Sequence, residues 1–255
     1  MVLELSDDTI AALVDEAKTR RYEPVFLEVG GEVEDPNRRQ SRLPGAINSF
    51  STAMKILHQQ VSHAVRSRDS LYQPKTYSFM HSVAGGEEQD PHKDFIPETI
   101  AEVTKQYPGA IPCSMIVVLM LETRLKVFAS CFDTVDKTKA MLLELRPGDA
   151  VLFRGDLIHC GMAYEHDNYH LHCYVTVAKT NFEPDLVAGV DEKVFLCQHC
   201  GHRDTESNAI RQHRIYCKKK TKARVKSPEK GSRKYLPQFL PSQQSSHTMN
   251  FGGTT

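Results

Sequence analysis

Arg146-Pro-Gly-Asp-Ala-Val-Leu-Phe-Arg-Gly-Asp-Leu-Ile-His-Cys-Gly-Met-Ala-Tyr164 reads as a turn, a strand and a second turn. Arg146-Pro-Gly-Asp149 carries Pro and Gly where a tight turn uses them. Ala150–Phe153 is short and apolar, as a buried strand is. Gly155-Asp156 then turns the chain again, and His159 stands just beyond that turn. Strand-like segments lie on both sides of this run. Toward the C-terminus there is Tyr169–Ala178; toward the N-terminus there are Met141–Leu145, Lys126–Phe132, Ser114–Leu121 and Tyr72–Val83. With a further strand at Pro24–Val29 these make seven or eight strands with no internal repeat.

The N-terminal part has a different period. Ser6 caps a helix whose first turn holds Asp7 and Asp8, and Ile10, Leu13, Val14 and Ala17 follow at helical spacing. From about Ile47 to Val65, Phe50, Met54, Leu57, Val61 and Ala64 give a second helical stripe, on which His58 and His63 read as surface or satisfied residues. Between the helices, Pro24–Val29 reads as a strand ended by Gly30-Gly31, and the stretch with Arg38, Arg39 and Arg42 reads as a solvated loop. A short helix is expected over Pro97–Tyr107. Helices first and many short strands afterwards predict a mainly β, α+β chain: an antiparallel double-sheet jelly roll with helices packed against one side.

At 255 residues the chain has room for one sizeable core and a small satellite. No apolar run approaches the eighteen residues that a membrane span needs, and acids stand at the N-terminus where a signal peptide has bases. An intracellular place, nuclear or cytoplasmic, with no membrane partner, is the expectation. Seven cysteines, an odd number, argue against a disulfide framework; Cys113, Cys131, Cys160 and Cys173 sit in apolar segments as small core residues. The zero net charge conceals an asymmetry. Residues 211–234 hold eleven Lys/Arg and one Glu, which leaves 21 bases against 31 acids elsewhere. Such a basic tail on an acidic body suggests a polyanionic partner or a nuclear address.

Gln89-Asp-Pro-His-Lys-Asp-Phe95 supplies what could face His159. In an extended strand His92 and Asp94 point to one face, and an imidazole with a carboxylate is two-thirds of a 2-His-1-carboxylate iron site. The pair alone means little, because twelve His and fifteen Asp make about one His-x-Asp expected by chance, and His202-x-Asp204 is a second. A second His from a distant strand, His159, is what gives the first pair its weight.

Three pieces taken together resemble the Fe(II)/2-oxoglutarate-dependent dioxygenase superfamily in its double-stranded β-helix form. They are Gln89-x-x-His92-x-Asp94, then Pro147-Gly-Asp-x-x-x-Phe-Arg-Gly-Asp-Leu-x-His159-x-Gly161, then Asn168-x-x-x-His172-x-Tyr174, covering roughly residues 70–178. The resemblance implies iron held by His92, Asp94 and His159, with 2-oxoglutarate and dioxygen as co-substrates and a primary substrate the motifs do not name. Gln89 would be a group behind the ligands or a solvated one. It also implies a basic residue for the distal carboxylate of 2-oxoglutarate eleven positions after His159, where this chain has His170. Imidazole lacks the fixed fork of guanidinium, and near neutral pH its charge is conditional. His172 shares its face, and Arg154 is a possible substitute, although its place beside a turn favours solvent.

The C-terminal run Phe195-x-Cys197-x2-Cys200-x12-His213-x3-Cys217 has the spacing of a ββα zinc finger and resembles that family, with Cys as the fourth ligand. Phe195 and Ile210 fall at its apolar positions, the usual second aromatic near Asp204 is missing, and His199 and His202 read as exposed spares. The expected domains are 1–190 for the jelly roll with its helices, 191–220 for the finger, and 221–255 for a basic and then disordered tail. Residues 195–226 could bind nucleic acid through Lys218-Lys-Lys-Thr-Lys-Ala-Arg-Val-Lys226; the same run could be a nuclear address or a solvated tail. Two functional readings follow: an oxygenase recruited by its finger, or an inactive adaptor in which the jelly roll and finger bind nucleic acid or protein.

Overall fold

The computed structural model describes residues 1–26, 34–177, 180, 182, 184–185, 187–205 and 207–224. The expected strand continuation at Leu27–Val29, the Gly30-Gly31 stop and the tail from 225 onward lie outside the described residues. The helices are α1 (Asp7–Thr19), α2 (Thr52–Arg66), α3 (Pro97–Gln106) and α4 (Ser207–Arg224). In chain order the strands are β1 (Glu23–Phe26), β2 (Glu34–Arg42), β3 (Tyr72–Ser82), β4 (His92–Lys93), β5 (Cys113–Val118), β6 (Thr123–Phe128), β7 (Thr134–Val135) and β8 (Ala140–Leu145). They continue with β9 (Ala150–Arg154), β10 (His159–Gly161), β11 (Asn168–Val177), β12 (Ala188–Gly189), β13 (Asp191–Glu192), β14 (Phe195–Leu196) and β15 (Arg203–Asp204).

Two sheets face each other as a jelly roll that does not close into a barrel. The larger runs β1-β2-β3-β11-β5-β9 and the smaller β12-β4-β10-β6-β8. Alternation along β11 assigns its two faces. Leu171, Cys173 and Val175 are buried with Phe79, Met115 and Val117 against the apolar stripe of α1 and α2, namely Leu13, Ala17, Met54, Leu57, Val61 and Val65. His170, His172 and Tyr174 point the other way, into the space between the sheets. A second apolar layer of Ile116, Leu125, Val127 and Phe153 fills the closed part of that space.

The helices start where their caps dictate. Ser6 Oγ accepts from the Thr9 amide at 3.2 Å, and Ser51 Oγ accepts from Met54 at 3.1 Å. The second helix therefore begins at Thr52 rather than near Ile47, with a short 3-10 turn at Ile47–Ser49 before the cap. The Ser51 hydroxyl also donates to Glu16 at 2.6 Å and ties the two helices together.

One expectation needs correcting. The stretch with Arg38, Arg39 and Arg42 is not a solvated loop but β2, paired with β1 on one side and with Ser78–Ser82 of β3 on the other. Its sequence, Glu34-Asp-Pro-Asn-Arg-Arg-Gln-Ser-Arg42, has no apolar residue to reveal a strand. Pro36 falls where the pairing with β1 shifts register, so its missing N–H interrupts no ladder.

After β11 the chain passes β12 and β13, the latter pairing parallel with β7. The β14–β15 hairpin and α4 follow. No helix among the described residues is long and apolar enough to cross a membrane.

Candidate metal centre and its cavity

The smaller sheet sets two histidines opposite each other: β4 and β10 are antiparallel, with His92 in register with His159. Asp94 follows two residues after His92. The ligating atoms of His92, Asp94 and His159 all lie within 4.8 Å of one another, and all three side chains are buried. Asp94 Oδ1 is 3.9 Å from His92 Nε2 and 3.4 Å from His159 Nε2. The tautomers are set from behind. His92 Nδ1 lies 2.8 Å from the Asp90 carbonyl oxygen and His159 Nδ1 lies 3.0 Å from that of Leu157. Each Nδ1–H therefore donates to backbone, which leaves both Nε2 lone pairs for an ion.

Two close approaches explain Gly155 and Gly161. A Cβ on Gly155 would overlap the Phe95 ring and come within 2.9 Å of the Pro112 carbonyl, so Gly lets Phe95 pack behind Asp94. A Cβ on Gly161 would stand 2.8 Å from Gln89 Oε1 and 3.3 Å from Arg38 Cζ and Nε. Phe153 sets its ring edge-on to His159 at 4.7 Å and fixes the imidazole plane.

The electrostatics suit a cation. Burial raises the proton affinity of Asp94, but His159 and His172 outweigh it and hold the carboxyl well below its usual range. Burial and the neighbouring His159 push His92 down to about 4. His159 is raised, because the pull of Asp94 overcomes its burial. His172 Nε2 stands 3.4 Å from Asp94 Oδ2, yet both atoms are buried without a hydrogen bond. Unmet polar atoms of this kind are costly in a protein core unless something else satisfies them. The donor set, two imidazoles and one carboxylate with an open side, fits a divalent iron.

That open side faces a cavity of about 280 Å³ between the sheets. Val25, Met80, Ile116, Leu125, Leu145 and Tyr174 give it apolar walls, while Arg38, Gln40, Ser82, His170 and Asp185 add polar ones. His170 lies on the same face of β11 as His172, one pleat further from Asp94, and its Nδ1 is buried without a partner. Burial, with His172 and Arg38 adding, lowers its pKa to about 3, so the imidazole is neutral near pH 7. Asp185 borders the cavity and is held by Arg42, by Gln40 Nε2 at 3.2 Å and by the Tyr174 hydroxyl at 3.2 Å.

Arg154 is not in the cavity wall. Its guanidinium makes a two-pronged pair with Asp156 at 2.9 and 2.7 Å and lies over the Phe132 ring. Strand parity is the reason: Val151 and Phe153 face inward, so Arg154 faces out. Gln89 does reach the site, lining the cavity against Gly161. The sequence reading missed Arg38, Gln40 and Asp185. Arg38 and Gln40 alternate at spacing two, which is a strand signal, but only once β2 is known to be a strand.

Cys197, Cys200, His213 and Cys217 form a second group, their ligating atoms likewise within 4.8 Å of one another. Cys200 Sγ is 3.1 Å from His213 Nε2, and Ile210 of α4 is buried. His199 and His202 are exposed, the latter stacked on His213 at 4.2 Å.

No protein-family model and no curated protein matches the chain. Solved structures do. A prolyl hydroxylase from Trichoplax adhaerens, in complex with a hypoxia-inducible-factor oxygen degradation domain peptide fragment, superposes with a TM-score of 0.51 at 11% identity, covering 68% of this chain and 79% of its own. The non-heme alpha-ketoglutarate-dependent carbocyclase SnoK from nogalamycin biosynthesis gives 0.50 at 10% identity, covering 72% and 81%. A Pseudomonas putida prolyl-4-hydroxylase gives 0.48 at 12% identity, covering 69% and 90%. The mostly-β jelly roll with flanking helices is the fold this chain shares with the Trichoplax hydroxylase and SnoK.

Proposed function

We propose that the chain is an Fe(II)/2-oxoglutarate-dependent oxygenase that hydroxylates, or oxidatively demethylates, a substrate reaching the cavity between its sheets. The observation that carries this is the convergence of His92, Asp94 and His159, both imidazoles turned by backbone carbonyls, on a cavity whose walls hold unmet polar atoms. The alpha-ketoglutarate dependence named for the SnoK neighbour supports it. Iron with 2-oxoglutarate and dioxygen supplies the oxidation: the co-substrate is decarboxylated to succinate, and one oxygen atom is delivered to the substrate.

The chain's own residues do the rest. The Nδ1–H bonds of His92 and His159 fix the ring planes, and His172 stands where it can donate to Asp94 Oδ2. Adjacent same-face residues on a strand are about 6.8 Å apart, near the span of a five-carbon diacid. His170, one pleat from His172, is thus placed to give its unpaired Nδ1–H to the distal carboxylate. The apolar walls exclude water from the reacting face.

The Cys197/Cys200/His213/Cys217 group is proposed to hold a structural zinc, closed by three thiolates and one imidazole. The finger would recruit the oxygenase, with nucleic acid as its candidate partner through 195–226. An intracellular place, nuclear or cytoplasmic, belongs to the same proposal, since thiolate ligands survive in reducing compartments. The test is succinate release from 2-oxoglutarate by the zinc-loaded chain with added iron, followed from pH 6 to 8. Iron-dependent succinate is expected even without a prime substrate, at an uncoupled rate. No succinate at any pH in that range would favour the inactive adaptor instead.

A further inference from the structure

The residue that joins the two ligand-bearing segments comes from neither of them. Arg38 projects from β2 of the larger sheet and is 5% exposed. Its Nη2 donates to the Met162 carbonyl at 2.7 Å and to the Glu87 carbonyl at 3.3 Å. Glu87 lies five residues before His92, and Met162 three after His159. Nη1 is held at 3.4 Å by Asp35, which itself accepts from the Asn37 amide at 2.8 Å. The guanidinium packs beside Gly161, where a Cβ would stand 3.3 Å from its Cζ and Nε. Three backbone bonds join the same two segments: Gln89 N–H to Gly161 O at 3.0 Å, Gly85 N–H to Tyr164 O at 3.0 Å and Phe95 N–H to Gly155 O at 3.3 Å.

We propose that Arg38 is a positioning residue for the metal centre, a clamp that fixes the His92 segment against the His159 segment. It rests on the reading of His92, Asp94 and His159 as metal ligands. The pairing of β4 with β10 is one residue pair long, His92 with His159. That pair and the single backbone bonds flanking it make a sparse ladder. A planar guanidinium that donates to a carbonyl on each segment, and is itself oriented by a buried carboxylate, fixes its spacing. Outer groups that orient ligands are worth about 10–100-fold in metal affinity.

The experiment titrates Ni(II) and Co(II) into the zinc-loaded full chain, with His159→Ala as the blank. Arg38→Lys keeps the charge beside Asp35 but loses the planar fork. Gly161→Ala keeps Arg38 but displaces it. Both are expected to weaken metal binding by about 10–100-fold and to reduce the Co(II) ligand-field absorption while the melting temperature stays near that of the parent. Arg39→Lys, whose parent side chain bonds the Pro36 carbonyl at the surface, is expected to change nothing. A measurement on the unmodified chain needs no variant: metal loading should slow amide exchange at Gln89 and Gly85. Parent-like affinity in both Arg38→Lys and Gly161→Ala, or unslowed exchange at both amides, overturns the clamp. If His159→Ala binds as well as the parent, the metal site itself is refuted and the clamp with it.

Discussion

Two groups of metal-type ligands stand in this chain, and they are built in opposite ways. His92, Asp94 and His159 are brought together across the chain by two strands of one sheet and sit buried between layers of side chains. Cys197, Cys200, His213 and Cys217 all lie within residues 197–217, on a hairpin and a helix whose described side chains bury little more than Ile210 and Cys197. The first group has a shape imposed by the fold before any ion arrives. The second has almost no apolar core to hold it. Ions should therefore complete the function of the first and make the structure of the second.

The largest effect expected is on the second group. Chelation of zinc, or Cys200→Ser, should unfold the β14–β15 hairpin and α4, since a structural zinc in such a module accounts for roughly 10–16 kcal/mol. The jelly roll should keep its own melting transition. Amide exchange across both regions, with zinc counted by mass, is the check; cooperative loss of the sheets on chelation would break the contrast.

The converse change is next. His159→Ala should reduce iron-dependent succinate formation by at least about 10³-fold, the scale seen when one member of a set acting as a unit is removed. The sheets should survive it, because Phe153, Ile116 and Val127 still fill the layer beneath. Circular dichroism and thermal melting with and without metal separate the two effects. A variant that fails to fold would mean that the site is structural after all.

Acid sharpens the comparison by smaller steps. His170 at about 3 and His92 at about 4 both lie below the unfolded imidazole value of about 6.5. Between those limits the unfolded metal-free chain binds more protons than the folded one. Stability then falls as pH drops from about 6.5 toward about 4, by at most roughly 1.4 kcal/mol per pH unit for each group. His159 acts with the opposite sign. Its raised value gives stability that is present below about 6.5 and lost as pH rises through the folded value. Urea midpoints of the metal-free chain from pH 4 to 7 measure the sum, and His170→Gln should make the acid slope shallower by one proton.

How much of this was readable in advance depends on where apolar residues mark the chain. β3, β5, β9 and β11 announce themselves because one face packs on α1 and α2. His92, Asp94 and His159 could be named as candidate ligands from motif order, and their ligating atoms lie within 4.8 Å of one another. β2 could not be read, because its inward residues Arg38 and Gln40 are part of the polar share of the cavity wall and its outward residues are also polar. With it went Arg38, which the sequence assigns to solvent and the fold buries at the seam between ligand segments. Arg154 shows the reverse failure: a cation near the right turn but on the wrong parity of its strand. Composition marks strands that pack on other elements; it does not mark strands that line a site.

The smallest effect concerns His170, and there two observables should move in opposite directions. Arg38 lies close enough to depress the proton affinity of His170. A permanent cation at 170 would therefore meet like charge in a chain without co-substrate. His170→Arg should make the metal-loaded chain slightly less stable, by about 1 kcal/mol. A dicarboxylate reverses this, because its distal group would gain a charge-assisted, forked partner in place of a neutral imidazole. The same variant should show a larger thermal upshift with 2-oxoglutarate and a severalfold lower apparent KM for it. His170→Ala should raise the apparent KM severalfold and abolish most of the upshift. Thermal shift over a 2-oxoglutarate series, read without turnover, decides the matter: equal upshifts in parent, Arg and Ala forms would take the distal carboxylate away from β11 altogether.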